Sequence, residues 1–437
     1  MATALAIALW LVSLLPFVLV QHQLATALVQ AVLMVGLVVI AWRKQRPERW
    51  ELLAFSLAWA TLYAVWLVSG QRLGLMCAQL VSAGMSIFVL FFARGARSPG
   101  RGKRQVPMVV AGVVIELCAL LLMVPFFDAD AFTSMIRNDE GADAAVAHEV
   151  QADGVDVTYD VSYGQDFPSS YLDVYHVADG APTVVYVHGG DYCFGDKQFE
   201  KPAVLGAYGG TGSRDGYFAY LEAYLAAGYN VVSVNYALTP EYRYPTPLIQ
   251  LSEAMTYLGK NAQSLGLDMD DVTLIGSVTG ANIVGAYALA QSDVSYALWL
   301  GLPNDFANGK IRAVVLNSGV LDNGGLSDTH NWVMDYIGDA CVRSYFNTAT
   351  MNGAEGLNQS NIITQTRTSF PPTYLSDGSV KSFADQAELF SRRLDALGVT
   401  NELHIYEGQG NGFMFSGSDV AAQDIASQIA FVDQFAK

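Results

Sequence analysis

The stretch that decides the fold is residues 183–191, which read Thr-Val-Val-Tyr-Val-His-Gly-Gly-Asp. Its first five residues are β-branched or aromatic and carry no charge, which is typical of a strand buried on both faces of a parallel sheet. The two glycines after His188 permit a tight turn directly at the end of that strand. We therefore predict a buried strand whose carboxyl end exposes backbone amides in a sharp turn.

Seven further strands are predicted around this one, and helical stretches alternate with them. This alternation predicts an α/β domain over residues 154–437, with a mostly parallel central sheet and helices on both of its faces. The predicted strands are Val155–Tyr163, Tyr171–His176, Asn230–Val234, Val272–Ile275, Ala313–Leu316, Thr373–Leu375 and Leu403–Tyr406. The predicted helices are Phe218–Ala227, Pro247–Asn261, Ala281–Gln291, Ser382–Leu397 and Val420–Ala436.

The first third of the chain differs from the rest in charge and in hydropathy. Residues 1–127 hold ten Lys and Arg against three Glu, so this third carries a net charge of +7. The whole chain carries −17, which leaves −24 for residues 128–437. An acidic domain repels nucleic-acid phosphates, so we do not expect DNA or RNA as a partner.

Five apolar runs in this first third are long enough to cross a lipid bilayer as helices. They predict a five-helix transmembrane bundle over residues 1–127, with the bilayer as its partner. A cleaved signal peptide is the alternative for the first run, but this run lacks a basic start and four more runs follow it. The runs are Ala2–Val20, Leu24–Trp42, Leu52–Ser69, Leu73–Ala93 and Val106–Phe127.

The charges between these runs predict an orientation. Arg43–Arg49 holds four cations and Arg94–Arg104 holds five, whereas the other two connections hold one between them. The positive-inside rule places the basic connections in the cytoplasm. We therefore expect a multi-pass plasma-membrane protein with a cytoplasmic N-terminus and an extracytoplasmic domain after a linker, residues 128–153, that is extended or disordered.

Two cysteines fall in the predicted α/β domain, namely Cys193 and Cys341. An extracytoplasmic location would allow them to form one disulfide. The sequence cannot supply the geometry that such a bridge needs, so it leaves the pairing open.

Several motifs surrounding the His188-Gly189-Gly190 turn give the domain a family resemblance. Their order and spacing resemble the hormone-sensitive-lipase-like and carboxylesterase branch of the α/β-hydrolases, from about Val155 to the C-terminus. The resemblance implies an α/β-hydrolase fold, ester chemistry without a cofactor or metal, and an oxyanion-hole-like turn at His188, Gly189 and Gly190. The further motifs are Asn235-Tyr-Ala-Leu-Thr-Pro-Glu241, Tyr244-Pro-Thr-Pro247 and Thr273-Leu-Ile-Gly276.

The family's nucleophile elbow, Gly-x-Ser-x-Gly, corresponds here to Gly276-Ser-Val-Thr-Gly280. Val278 therefore occupies the position of the nucleophile, and valine has no nucleophilic atom. A β-branched residue fits poorly where φ must be positive, so we expect a relaxed or rebuilt turn. Ser277 and Thr279 remain alternatives if the elbow has slipped by one residue.

The position of the family's acid also differs. The matching stretch is Asp377-Gly-Ser-Val-Lys381, which puts Lys381 where the carboxylate is expected. Asp377, Asp385 and Asp322 are the alternatives for the acid, although most carboxylates of an acidic domain are simply solvated.

The family's base lies in a His-Gly-Phe turn, which here reads Asn411-Gly412-Phe413. An amide cannot accept and return a proton near neutral pH as an imidazole does. His330, in the segment Asn323–Thr368 that we interpret as a lid, is the one histidine kept as an alternative base.

Three replacements together predict that the ester-cleaving chemistry is lost. The sequence thus favours a membrane-anchored pseudoenzyme that is not an active hydrolase and that binds a small ester or acyl ligand, or a protein partner, outside the cell. The alternative is an esterase- or lipase-like carboxylic ester hydrolase that uses a non-standard nucleophile.

Overall fold

A computed structural model of the chain describes residues 5, 7–9, 23–44, 49–69, 81, 82, 84, 128–136, 154–198, 212–306, 309–348 and 355–436. The chain divides into two compact units, Met1–Phe132 and Thr133–Lys437. The exact bounds 1–127, 128–153 and 154–437 stay predictions.

The amino-terminal unit contains helices α1 (Gln23–Arg43) and α2 (Arg49–Ser69). The indole Nε1 of Trp59 donates a 3.2 Å hydrogen bond to Gln30 Oε1 across these helices. Both partners are buried, and a buried polar group needs such a bond to offset its desolvation. The apolar residues buried around this pair are Leu9, Met34, Leu37, Ala41, Leu52 and Tyr63.

The helices of this structure contradict the predicted transmembrane bundle. Among the residues that it describes, no helix is long and apolar enough to cross a membrane. The predicted multi-pass plasma-membrane location, with its cytoplasmic N-terminus and extracytoplasmic domain, is contradicted with it. A hydropathy window sums residues whatever their conformation, whereas a span needs one continuous apolar helix of about 20 residues. Val106–Phe127 lies outside the described residues, as do most of Ala2–Val20 and Leu73–Ala93.

The second unit is built on one eight-stranded sheet in the order β1-β2-β4-β3-β5-β6-β7-β8. β1 pairs with β2, and β2 with β4, in antiparallel fashion, while every other pair is parallel. A strand occurs at each of the eight predicted positions, and the mostly parallel sheet is confirmed. The strands are β1 (Asp156–Ser162), β2 (Tyr171–His176), β3 (Ala181–Val187), β4 (Asn230–Val234), β5 (Leu267–Ser277), β6 (Ile311–Asn317), β7 (Thr373–Gly378) and β8 (Asn401–Tyr406).

Helices cover both faces of this sheet. Along β3, Val185 and Val187 face one apolar core, while Val184 and Tyr186 face the other, because successive side chains of a strand point to opposite faces. The helices are α3 (Ala129–Ile136), α4 (Arg214–Ala226), α5 (Thr246–Leu265), α6 (Thr279–Ser292), α7 (Val294–Leu300), α8 (Trp332–Tyr345), α9 (Glu355–Ser360), α10 (Ile362–Gln365), α11 (Ala384–Leu397) and α12 (Asp419–Val432).

The strand register aligns the carboxyl ends of the central strands. Val187 of β3 pairs with Gly276 of β5, and Ser277 of β5 pairs with Asn317 of β6. Asn317 in turn pairs with Ser376 of β7. The loops after β3, β5 and β7 therefore meet at one edge of the sheet, which is where open α/β sheets bind ligands.

Two expectations outside the sheet need correction or completion. The start of the predicted linker is helical rather than extended, since α3 occupies Ala129–Ile136. Asp128 Oδ1 accepts a 2.9 Å hydrogen bond from the backbone N–H of Ala131, which caps this helix. Cys193 and Cys341 are both buried as free thiols, so no disulfide joins them in this structure.

Candidate active site

The turn between β5 and α6 is where the sequence predicts the nucleophile elbow. β5 ends at Ser277, α6 begins at Thr279, and Val278 lies between them with φ 48° and ψ −114°. The expected relaxed turn is therefore wrong, because valine adopts a left-handed backbone that non-glycine residues rarely occupy. Holding such a conformation costs on the order of 1–3 kcal/mol, which the surrounding structure must offset.

Close packing on every side of the turn fixes its shape. A Cβ on Gly276 would lie 2.4 Å from Gly280 O, and a Cβ on Gly280 would lie 2.3 Å from Val187 O. The backbone N–H of Val278 donates to Asn317 O, and its carbonyl accepts from Val320 N–H, each at 2.9 Å. If the turn relaxed, the close backbone approaches at both glycines and both hydrogen bonds would be lost.

The side chain of Val278 is 5% exposed and packs into a small apolar cluster. A serine at this position would present its hydroxyl to the space above the sheet, whereas Val278 presents two methyl groups. The other members of this cluster are Val320, Leu326, Val342, Leu357 and Phe383.

The two hydroxyls beside Val278 point elsewhere. Ser277 is fully buried, and its Oγ lies 2.7 Å from the hydroxyl of Tyr186, within the sheet. Thr279 is also fully buried, and the described residues offer its Oγ1 no hydrogen-bond partner. A nucleophile needs a base within hydrogen-bonding reach, and no contact of either hydroxyl with a histidine is found in the described part of the chain.

The turn after β3, where the sequence predicts an oxyanion hole, is closely packed. Gly190 has φ +97°, and a Cβ there would lie 1.9 Å from Phe194 O, so only glycine fits. The hydroxyl of Tyr236 donates to the carbonyls of His188 and Gly189, at 3.0 and 2.9 Å. These contacts make the turn rigid, as stabilisation of a developing negative charge demands.

His188 is engaged on both ring nitrogens. Its Nε2 lies 3.1 Å from Asn235 Oδ1 and its Nδ1 lies 2.8 Å from Gly189 O, while its ring stacks on Tyr236 at 4.2 Å. Both neighbours are acceptors, because Asn235 Oδ1 itself accepts from the backbone N–H of Tyr236. Both ring nitrogens thus lie at hydrogen-bonding distance from oxygens of the turn and of β4's end, and these contacts assign His188 a structural role.

Asp377 lies at the end of β7 and is fully buried. Its Oδ1 accepts from Gly378 N–H at 2.7 Å and from the hydroxyl of Ser382, and its Oδ2 accepts from Phe383 N–H at 3.0 Å. Burial raises the pKa of Asp377 to about 6, although the hydrogen bonds, including one from Ser318, act to lower that pKa.

Asn411 lies in the loop after β8, is 5% exposed, and donates from Nδ2 to Ser382 Oγ at 3.2 Å. Asn411, Ser382 and Asp377 thus form one hydrogen-bonded chain beneath the elbow. Lys381, by contrast, is exposed and has φ +53°.

The remaining alternative residues lie away from the elbow side chain. Asp322 accepts a 2.9 Å hydrogen bond from Gly324 N–H and caps a short 3-10 helix. His330 and Asp385 contact each other at 3.4 Å, with side chains 74% and 79% exposed. A proton relay needs a donor and an acceptor that are shielded from solvent and held in place. This exposed pair on the surface meets neither condition.

Val278 and Asn411 line one pocket, which in this conformation is too narrow for a water molecule. The segment predicted as a lid contributes side chains to it. Sequence reasoning missed most of this lining, although Asp191 directly follows the glycine turn and could have been found from that position. The other lining residues are Leu326, Thr329, Met334 and Phe383.

No metal-binding arrangement of three or more His, Cys, Asp or Glu side chains occurs in the described ranges of the chain.

The sequence profile of a family described as alpha/beta hydrolase fold matches residues 184–415, which is more than half of the chain. The chain belongs to the α/β-hydrolase family. The matched range begins within β3 and includes the elbow, Asp377 and Asn411. That Val278, Lys381 and Asn411 occupy the family's catalytic positions stays a prediction.

Individual relatives agree with the family. Carboxylesterase NlhH of Mycobacterium tuberculosis is 25% identical over 235 residues, which cover 52% of this chain and 65% of that protein. Esterase LipQ of the same organism is 23% identical over 194 residues, which cover 43% of this chain and 41% of that protein. The chain thus spans less than two thirds of the length of these relatives. Esterase B of Lactobacillus rhamnosis has the same fold, with a TM-score of 0.56 at 17% identity over 71% of this chain and 95% of that one.

Proposed function

We propose that the α/β-hydrolase domain binds a small ester-like or acyl ligand above the elbow and does not cleave esters by the serine mechanism. The observation that carries the proposal is Val278, which occupies the strained elbow conformation with an apolar side chain. The elbow, the glycine turn and the pocket between them are retained parts of a binding site. Among the described residues, the elbow residue itself carries no hydroxyl and no histidine lines this pocket.

The contacts of the retained residues support binding without turnover. In acyl transfer a hydroxyl attacks the carbonyl while an imidazole removes its proton. Here Asn411 stands where the imidazole is expected, on the side of Asp377. Its amide does not take up a proton near neutral pH. Loss of one such member in a serine protease costs on the order of 10⁶ in turnover, because the members act as a unit.

A carboxylic ester hydrolase with a non-standard nucleophile is the second candidate. The named relatives favour it, since both are called esterases. Thr279 is its best nucleophile, because that hydroxyl is buried next to the elbow at the start of α6 and has no partner among the described residues. The proposal would need a base that these residues do not provide.

Covalent labelling with a fluorophosphonate probe separates the two candidates. The native full-length chain is incubated with the probe and its intact mass is measured, with a serine esterase labelled in parallel. We expect no adduct on this chain. An adduct that disappears in Thr279→Ala or Ser277→Ala, but persists in the exposed control Ser427→Ala, would establish the hydrolase and overturn ligand binding without turnover.

A further inference from the structure

Two buried thiols contact each other between the turn after β3 and helix α8. Cys193 and Cys341 are each 0% exposed, and no disulfide joins them in this structure. Cys193 Sγ donates to the backbone carbonyl of Asp191 at 3.2 Å, and the thiol of Cys341 hydrogen-bonds with the thiol of Cys193. Two residues far apart in the chain are thus placed where one covalent bond could join them.

The residues beside the two cysteines hold them in this position. Tyr192 stacks on Tyr345, with ring centroids 3.7 Å apart and planes within 8° of each other. Tyr192 directly precedes Cys193, and Tyr345 follows Cys341 by about one turn of α8. The stacked rings therefore align the loop and the helix along the same contact.

The loop at Cys193 is fixed to the glycine turn. The backbone N–H groups of Cys193 and Phe194 both donate to Gly190 O, at 2.9 and 3.0 Å. Cys193 therefore cannot move far without breaking the turn that follows β3. A covalent bond from Cys341 to Cys193 would attach α8 to that turn.

The helix at Cys341 forms one wall of the pocket. α8 contributes Met334 to the pocket lining, and its Val342 belongs to the apolar cluster that holds Val278. The pocket in this conformation is too narrow for a water molecule. Its walls must therefore move apart before a ligand enters, and α8 is the wall that a bond to Cys193 would hold in place.

We propose that Cys193 and Cys341 form a reversible disulfide that locks α8 onto the turn after β3 and keeps the pocket closed. In the reduced chain α8 is able to move and the pocket to open. The inference goes beyond the proposed function, since binding of a ligand and turnover of an ester both need an open pocket.

Hydrogen peroxide is an oxidant small enough to reach the pair. It oxidises one thiol to a sulfenic acid, and its other oxygen leaves as water. The second thiol then attacks the sulfenic sulfur, which forms the S–S bond and releases a second water. Two electrons pass from the pair to the peroxide. Burial raises the pKa of the Cys341 thiol well above its ordinary value, so this chemistry should be faster at higher pH.

The test uses the full-length chain with Cys77→Ala and Cys118→Ala, which leaves Cys193 and Cys341 as its only cysteines. The folded protein is treated with peroxide, and the intact mass and the hydrogen–deuterium exchange of α8 are measured. We expect the loss of two hydrogen atoms per chain. Amide exchange in α8 should slow on the order of tenfold, because the cross-link suppresses local opening. Peptide mapping locates the same cross-link in the chain with all four cysteines.

Cys341→Ser is the matched control, because it removes one thiol by exchanging a single atom. Peroxide should then neither remove two hydrogen atoms nor slow the exchange of α8. Oxidation of Met334 is distinguished by reduction, since dithiothreitol reverses a disulfide but leaves methionine sulfoxide in place. Both effects should disappear on reduction.

Two results would overturn the proposal. If the pair is oxidised only after the chain has been unfolded, the two thiols act simply as buried apolar groups. If a disulfide forms but leaves the exchange of α8 unchanged, it does not lock the helix. Neither result depends on ester turnover, which tests the proposed function separately.

Discussion

Asn411 Nδ2 donates a 3.2 Å hydrogen bond to Ser382 Oγ, and Ser382 in turn donates to the buried carboxylate of Asp377. A side chain that follows β8 is thereby joined to one that follows β7. The arrangement satisfies the buried polar groups, as a low-dielectric interior requires. The amide of Asn411 is thereby used in a structural contact and not in a contact with a hydroxyl at position 278.

The pKa of Asp377 predicts a pH dependence of stability. Because burial raises this pKa to about 6 in the folded chain, the folded state holds its proton to a higher pH than the unfolded state does. The contribution of Asp377 to the free energy of unfolding should therefore fall as pH rises from about 4 to about 6, by on the order of 3 kcal/mol.

The measurement is the difference in unfolding free energy between the native chain and Asp377→Asn, whose amide does not titrate. This difference should decrease across the stated range. A difference that increases with pH would mean that the carboxylate, and not the neutral acid, is the favoured form in the fold.

The backbone of Val278 predicts an unequal cost of two matched substitutions. Val278 and Val320 lie in the same apolar cluster, but only Val278 has a positive φ. Val278→Gly loses buried surface and relieves strain, whereas Val320→Gly only loses surface. We expect Val278→Gly to destabilise less by about 1–3 kcal/mol in denaturant unfolding. Equal losses would indicate that the elbow stores no strain.

Gly190 predicts that the turn after β3 does not tolerate a side chain. A Cβ at Gly190 would lie 1.9 Å from Phe194 O, whereas a Cβ at Gly180, also at positive φ, meets nothing within 4 Å. Gly190→Ala should therefore destabilise by about 1–3 kcal/mol more than Gly180→Ala, since steric overlap adds to the cost of the conformation. Similar unfolding midpoints for the two variants would contradict the close approach.

The strands could be predicted from the sequence because their signal is local. The run Thr183–Val187 is β-branched or aromatic throughout, and such a run is buried as a strand whichever neighbours it acquires. Helix ends were predicted less well: α5 was predicted to end at Asn261 but continues to Leu265, where Gly266 ends it with φ +67°. The order of the motifs indicated the family, which the profile match shows.

The elbow shows where local reasoning fails. Valine disfavours a positive φ, so the sequence predicts a relaxed turn, yet the turn is held by hydrogen bonds to Asn317 and Val320 and by the close approach of Gly280 to Val187. These contacts come from β6 and β3, and tertiary packing overrides the preference of one residue.

The pocket lining could not be predicted for a related reason. Ser382 and Asn411 are 29 residues apart, and Thr329 faces the site only because Asp335 fixes its backbone and hydroxyl. The predicted membrane bundle failed differently, because apolar composition does not specify where helices begin and end.

Hydrolysis of p-nitrophenyl butyrate tests the central claim, that the domain does not cleave esters by the serine mechanism. The native full-length chain is compared with the triple variant Val278→Ser, Lys381→Asp, Asn411→His and with Val278→Ser alone. We predict background rates for the native chain and for the single variant, and turnover above background for the triple variant, because the members act together. Turnover by the native chain that is abolished in Thr279→Ala or Ser277→Ala would contradict the claim.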